Sequence, residues 1–259
     1  MIIDYRFLIG FFICSYSFAC GGKQEKTIDL TVAVAANAQF AMQAIETTFE
    51  SDTQKNIEII IGSSGKLTAQ IKQGAPYDLL VAANMKYPNY LFEKGLAATK
   101  PKVYVWGELV LWTLNDELYL SEDLSFLTQD FIKKIAIANP QNAPYGEQAM
   151  NALNYSGLRE GLQSKIVFGE SIAQTNQYII TKNCEVGFTA KSTVFTQELE
   201  GKGKWITVPK STHQPIEQGA IITKYGMENH SVTAQQFYDF LFSEPAKNIF
   251  RKYGYAIPD

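Results

Sequence analysis

The chain has 259 residues, of which 46% are hydrophobic and 19% are charged, and its formal net charge is −3. This is an ordinary globular composition, and the length allows one large domain or two modest ones with real cores. The sequence contains no block of like charges that would follow a nucleic-acid backbone, so we predict no nucleic-acid partner.

The first twenty residues differ from the rest of the chain. Arg6 is followed by thirteen largely apolar residues, FLIGFFICSYSFA, which end just before Cys20. This run is too short to span a bilayer and is typical of a secretory signal. Its end, SFAC, resembles the lipobox at which bacterial lipoproteins are acylated. We therefore predict a signal peptide over 1–19, a lipid anchor on Cys20 and a polar tether over 20–26; the alternative is an ordinary signal peptide with an incidental cysteine.

Cysteine and histidine are too rare for a metal or disulfide framework. Removal of the signal leaves Cys20 and Cys184, and lipidation of the first leaves the second alone. With only His213 and His230 in addition, we expect no disulfide, no zinc site and no Cys/His catalytic cluster. Cys184 is predicted to be a small, semi-buried residue.

Strand-like and helix-like segments alternate along the rest of the chain. The first strand segments are TIDLTVAVAAN, IEIIIG and YDLLVAAN, and each precedes a helix-like segment: AMQAIETTFE, KLTAQIKQG and MKYPNYLFEKG. The same alternation restarts after VYVWGELVLWTL and ends with helices around AQQFYDFLF and PAKNIFRKYG. It predicts an α/β fold with parallel strands and right-handed crossovers.

We predict two α/β lobes, the second inserted in the first. The first lobe comprises 27–106 and 215–259, and the second comprises 107–214. The chain is expected to cross between them near 106–108 and again near 213–216.

Four strand-to-helix junctions share small or polar residues. They are Ala35-Ala36-Asn37, Ser63-Ser64-Gly65, Ala143-Pro144-Tyr145-Gly146 and Gly169-Glu170-Ser171-Ile172. In open α/β sheets ligands lie at the carboxyl ends of strands, where helix N-termini offer unpaired N–H groups and a positive dipole end. Two junctions from each lobe could therefore converge on one anion. The alternative is that these residues serve only as helix caps.

Arginine is scarce, which limits how an anion could be held. Beyond the signal only Arg159 and Arg251 remain, and both lie in contexts typical of a helix surface. No guanidinium clamp is predicted, so backbone amides and the hydroxyls of Ser64 and Tyr145 would hold a fully deprotonated oxyanion. Lys66 is predicted to be solvated.

Two carboxylates also lie near the junctions. Glu147 and Glu170 stand beside predicted helix N-termini, where a negative charge complements the helix dipole. We predict that both face outward rather than toward a bound anion.

Three segments carry a family resemblance: LTVAVAANAQFAMQAI, SSGKLTAQIKQGAPYDLLVAAN and FYDFLFSEPAKNIFRKYGYAI. They resemble the periplasmic molybdate-binding proteins of ABC transporters, and the resemblance extends from about Asp29 to the end. It implies the type II periplasmic-binding-protein fold, in which two α/β lobes close over a ligand cleft. The implied ligand is molybdate or tungstate.

The resemblance also implies the residues that contact the oxyanion. They are Ala36 and Asn37 mainly through backbone N–H, Ser64 through its N–H and hydroxyl, Tyr145, and Ile172 through its backbone N–H. No direct cation ligand and no cofactor are implied.

The chain departs from the family pattern at a few positions. One branch of the family uses a serine where Asn37 stands and a tyrosine where Ala190 stands. Tyr145 stands where the other branch supplies its tyrosine. Asn84 replaces a family aspartate.

Together these features predict an exported, lipid-anchored and monomeric receptor, in the periplasm or at the cell surface, that delivers molybdate or tungstate to an ABC transporter permease. The runner-up is the same fold binding sulfate, phosphate or a small organic acid. A hydrolase with Ser64 as nucleophile is disfavoured because neither His213 nor His230 lies at a junction to act as its base. A surface lipoprotein that has lost binding is the remaining alternative.

Overall fold

The computed structural model describes residues 27–258. The predicted signal peptide, the lipidation of Cys20 and the tether lie outside these residues, as does residue 259.

The described chain consists mainly of ten strands and ten α-helices. The strands are β1 (Leu30–Ala35), β2 (Ile57–Gly62), β3 (Leu79–Val81), β4 (Lys102–Gly107), β5 (Leu109–Thr113), β6 (Ile135–Ala138), β7 (Ile166–Gly169), β8 (Val186–Ala190), β9 (Lys204–Thr207) and β10 (Ile216–Ile222). The helices are α1 (Gln39–Thr53), α2 (Ser64–Lys72), α3 (Lys86–Glu93), α4 (Pro144–Tyr155), α5 (Arg159–Leu162), α6 (Ile172–Ile180), α7 (Lys191–Val194), α8 (Lys224–Asn229), α9 (Ser231–Leu241) and α10 (Glu244–Lys252).

The strands form two five-stranded sheets, one in each lobe. The first lobe has the order β2-β1-β3-β10-β4 and the second has the order β7-β6-β8-β5-β9. In each sheet the first three strands of this order are parallel, as the alternation of strands and helices predicts. The fourth strand, β10 or β5, is antiparallel to both of its neighbours. The chain reaches each of these two strands directly from the other lobe. It does so without the helical crossover that connects two parallel strands of one sheet.

The chain passes between the sheets at two neighbouring places. Only Glu108 separates β4 of the first sheet from β5 of the second, and the segment 208–215 leads from β9 back to β10. Two short connections allow the lobes to move relative to each other, which is the geometry of hinge closure.

Helices cover both faces of each sheet, because side chains along a buried strand alternate between the faces. In the first lobe Val32 and Val34 pack in the cluster that contains α1, α9 and α10, whereas Ala33 packs in the cluster of α2 and α3. In the second lobe Ile135 and Ile137 pack with α4, and Ala136 packs with α6 and α7. The faces are therefore filled, and the carboxyl ends of the strands remain available for a site.

Cys184 is a free thiol and only 2% exposed, so it is more deeply buried than predicted. Among residues 27–258, none of the helices combines the length and the apolar character needed to cross a membrane.

Candidate functional site

The four predicted junctions meet at one small cavity between the lobes. Ten residues line this interlobe cavity: Ala35, Ala36, Asn37, Ser63, Ser64, Ala83, Ala143, Pro144, Tyr145 and Ile172. All five predicted oxyanion ligands are among them. Ala83 is the one lining residue outside the predicted junctions; it follows β3, which pairs with β1.

The cavity is small and carries no charged side chain among its lining residues. The space inside it that is open to water-sized molecules is about 10 Å³. Pockets for drug-sized ligands usually hold about 300–1,000 Å³. Its size and neutral lining suit a small anion held by dipoles and hydrogen-bond donors.

The first lobe presents two turns of backbone to the cavity. A 3-10 turn, Ala36–Ala38, follows β1, and α2 begins at Ser64 directly after β2. The Ser63 hydroxyl caps α2 by accepting from the Lys66 N–H at 3.4 Å. The N–H of Ser64, in the first helical turn, has no carbonyl partner one turn earlier.

The Ser64 hydroxyl is also placed to donate. Its oxygen accepts a hydrogen bond from the Ala83 N–H at 2.9 Å. Since this bond uses an oxygen lone pair, the hydroxyl proton is left for another acceptor. Ser64 therefore offers the cavity both an N–H and an O–H.

The second lobe presents the starts of α4 and α6. In α4, Pro144 occupies the first position, where its missing N–H costs nothing, and Tyr145 follows. In α6, the Ser171 hydroxyl accepts from the Gln174 N–H at 3.5 Å and leaves the N–H of Ile172 without an intrahelical partner. Both helices direct the positive ends of their dipoles toward the cavity.

Tyr145 is only 1% exposed, and its environment keeps its hydroxyl protonated. Burial, with Tyr255 and Tyr104 nearby, raises the pKa of Tyr145 well above its ordinary value of 10.0. The side chain is therefore a neutral donor at physiological pH.

The lobes are in contact around the cavity, so the structure is a closed form. The Gly65 N–H donates to the Asn142 carbonyl at 2.9 Å, and the Ser63 hydroxyl donates to Glu170 Oε1 at 2.9 Å. The prediction that Glu170 faces outward is therefore wrong. The cap bond to the Lys66 N–H uses a lone pair of the Ser63 hydroxyl oxygen. The proton of the same hydroxyl is therefore free to be donated to the Glu170 carboxylate of the second lobe.

Two glycines of the junctions allow close approach, but of protein atoms rather than of a ligand. A Cβ on Gly65 would lie 2.7 Å from Asn142 Cβ and 2.8 Å from its Cα, so Gly65 lets the lobes close. A Cβ on Gly146 would overlap the Ala138 carbonyl, so Gly146 lets α4 pack on β6.

The other residues considered from sequence lie outside the cavity lining. The side chains of Lys66, Arg159 and Arg251 belong to exposed residues. Ala190 is fully buried at the end of β8, opposite Leu109. The Asn84 side-chain oxygen is buried without a hydrogen-bond partner.

Neither histidine is placed to act as a base for Ser64. His230 Nδ1 lies 2.8 Å from Asp78 Oδ1, and His213 Nδ1 lies 2.8 Å from the Gln214 carbonyl. Neither histidine lines the cavity. Within residues 27–258 no group of three or more His, Cys, Asp or Glu side chains could hold a metal ion.

Comparisons with known proteins agree with this architecture. The molybdate-binding protein ModA of Azotobacter vinelandii is 37% identical over 231 residues, 88% of this chain and 90% of that protein. ModA of Rhodobacter capsulatus is 35% identical over 229 residues, 88% of each chain. The solved periplasmic molybdate-binding protein of Azotobacter vinelandii matches with a TM-score of 0.84 at 30% identity, over 89% of this chain and all of that one.

The predicted family resemblance and the two-lobed α/β binding-protein fold are thus confirmed. The family model described as bacterial extracellular solute-binding protein matches residues 30–256, nearly all of the described chain. This chain therefore belongs to the bacterial extracellular solute-binding protein family.

Proposed function

We propose that this protein captures molybdate, or tungstate, outside the cytoplasm and delivers it to an ABC transporter permease. The observation that carries the proposal is the convergence of four strand-to-helix junctions on one small, uncharged cavity. The relatives named molybdate-binding protein support the choice of ligand.

In this proposal neutral donors hold the dianion. Backbone N–H groups of Ala36, Asn37, Ser64 and Ile172 and the hydroxyls of Ser64 and Tyr145 surround its oxygens. Each donor is nearly buried, and hydrogen bonds to an ionised acceptor are roughly twice as strong as neutral ones. Since both lobes contribute donors, the bound anion favours the closed form.

The same geometry disfavours organic ligands. The cavity lining carries no cationic side chain, and a carboxylate ligand is usually held by one. Among tetrahedral anions, donors spaced for the larger molybdate reach a smaller sulfate or phosphate less well.

We further propose that the protein acts as a monomer anchored through Cys20 at the periplasmic or outer cell surface, without a cofactor and without enzymatic activity. The SFAC segment and the extracellular character of the family support this placement. Incorporation of labelled fatty acid into the wild type but not into Cys20→Ser would support the anchor; equal labelling would reject it.

Isothermal titration calorimetry of the purified protein with molybdate, tungstate, sulfate and phosphate tests the central proposal. Molybdate and tungstate should bind at micromolar concentrations or below, and sulfate should not compete at equal concentration. Absence of heat with molybdate and tungstate would reject the proposed ligand. Ester or phosphate hydrolysis lost in Ser64→Ala would reject the proposal that the protein is not an enzyme.

A further inference from the structure

Gln218 lies behind the interlobe cavity and outside the predicted ligand set. It belongs to β10 of the first lobe and is completely buried. Its side chain joins a buried hydrogen-bond cluster with Asn37, Tyr104, Tyr145 and Tyr255. The direction of each bond in this cluster decides what Tyr145 can do.

The directions can be assigned from one backbone carbonyl. Tyr255 Oη lies 2.8 Å from the Asn37 carbonyl oxygen, which can only accept, so Tyr255 donates its proton there. The same Tyr255 oxygen lies 3.2 Å from the Asn37 side-chain amide. Having used its proton, Tyr255 must accept at this second contact, and the Asn37 amide must present its NH₂ group.

The orientation of Gln218 follows from that of Asn37. Asn37 Nδ2 lies 2.7 Å from Gln218 Oε1, which also accepts from the Tyr104 hydroxyl at 2.9 Å. Gln218 Nε2 therefore faces Tyr145 Oη, at 3.1 Å, and donates to it. The Tyr145 oxygen accepts this bond, so its own proton remains free for an acceptor in the cavity.

We infer that Gln218 is a positioning residue that makes the Tyr145 hydroxyl a donor toward the ligand, so that at Tyr145 the cavity favours a deprotonated ligand oxygen over a protonated one such as that of hydrogen phosphate. This inference rests on the proposed function. A protonated oxygen of the ligand would need a hydrogen-bond acceptor. The Gln218 N–H already occupies the lone pair with which the Tyr145 oxygen could otherwise accept that proton.

The position of this bond ties it to lobe closure. Gln218 belongs to the first lobe and Tyr145 to the second, so their hydrogen bond crosses between the lobes. Gly107, the last residue of β4, provides the space, because a Cβ there would collide with Tyr145 Oη and Gln218 Nε2. Tyr145 is therefore set as a donor when the lobes come together.

A double-mutant cycle tests this role by calorimetry. Gln218→Met keeps the length of the side chain and removes its N–H; it should weaken molybdate binding about 10-fold. In a Tyr145→Phe background the same substitution should cost clearly less affinity, because no hydroxyl remains to be oriented and only the bonds of Gln218 to Asn37 and Tyr104 are lost. Gln177→Met, at an exposed position of α6, is the matched control and should bind like the wild type.

Gln218→Glu reverses the polarity at the same position. Its carboxylate would accept the Tyr145 proton and turn a lone pair toward the cavity. We expect molybdate affinity to fall about 100-fold and the ratio of molybdate to phosphate affinity to narrow. Thermal unfolding of each variant identifies any that fail to fold, and Gln218→Leu replaces Gln218→Met if needed.

The outcomes separate this inference from the proposed function. Additive losses of molybdate affinity in the double-mutant cycle would overturn the role of Gln218 while molybdate binding stands. An unchanged ratio of molybdate affinity to phosphate affinity in Gln218→Glu would do the same. A wild type that binds none of molybdate, tungstate, sulfate and phosphate would overturn the proposed function and this inference with it.

Discussion

The two lobes build their halves of the cavity from equivalent places. Strands β1 and β2 of the first lobe occupy the same positions in the sheet order as β6 and β7 of the second. In both lobes the helix after the second strand is capped by a serine, Ser63 or Ser171, whereas the helix after the first strand has no side-chain cap. One local architecture is thus used twice, with its N–H groups facing a shared space.

The lobes differ in what their side chains do. Asn37 of the first lobe turns its amide into the buried cluster with Gln218 and Tyr255, so this turn offers the cavity mainly backbone. Tyr145 of the second lobe presents a phenol. The repeated scaffold thus supplies the amide donors, while chemical selectivity depends on side chains that contact across the lobes.

The largest effect is expected from breaking the contact between the lobes. Gly65→Ala places a methyl group against Asn142 and should lower molybdate affinity about 100-fold, equivalent to about 2.8 kcal/mol. Stability should not fall, because alanine favours the helix. Calorimetry and thermal unfolding measure the two effects.

Gly161→Ala is the matched control, since a Cβ at Gly161 meets nothing within 4 Å. Its affinity should equal that of the wild type. Wild-type affinity in Gly65→Ala would show that the closed contact at Asn142 is not needed for binding.

The next effect comes from the phenol that only the second lobe provides. Tyr145→Phe removes one hydrogen bond to an ionised ligand, worth about 1.5–3 kcal/mol, so affinity should fall about 10-fold or more. Tyr155→Phe, on the same helix but 69% exposed, is the control for calorimetry. Equal affinities in the two variants would remove Tyr145 from the ligand set.

The two serine caps allow a direct comparison of the lobes. Ser63→Ala and Ser171→Ala should each lower the free energy of unfolding by about 1 kcal/mol, because each loses an N-cap. Only Ser63→Ala also loses the bond to Glu170 across the lobes, so it should weaken molybdate binding a few-fold more. If both variants bind alike, the Ser63–Glu170 contact does not favour closure.

The smallest expected effect is a change of folding stability with pH, caused by Tyr255 of the buried hydrogen-bond cluster. Burial raises the pKa of Tyr255 to about 12. An unfolded tyrosine loses its proton near pH 10, so above that pH the unfolded state binds fewer protons and stability falls. Between pH 9 and pH 10.5 this tyrosine should contribute a loss of less than about 1 kcal/mol.

Urea denaturation at several pH values measures this slope. Tyr255→Phe should be less stable at neutral pH, because it loses the bond to the Asn37 carbonyl, but its stability should decline less steeply above pH 9. An unchanged slope would mean that Tyr255 ionises as easily in the folded protein as in the unfolded chain.

Much of the site could be predicted because its parts are local. The small and polar residues of each junction are contiguous in sequence, and each junction forms a turn from its own neighbours. The role of these residues as ligands stays a prediction. Ala83 was missed because an alanine after a strand carries no chemical signal, and Glu170 was misjudged because its partner, Ser63, is 107 residues away.

The alternation of strands and helices, the helix starts and the absence of an arginine beside them can be read from the sequence alone, since these features depend on residues within a few positions of one another. The contact of Gln218 with Tyr145 and the turn of the Asn37 side chain away from the cavity could not be predicted in this way. Those contacts join residues 73 and 181 positions apart, and the direction of their hydrogen bonds depends on which donors and acceptors the closed lobes bring together.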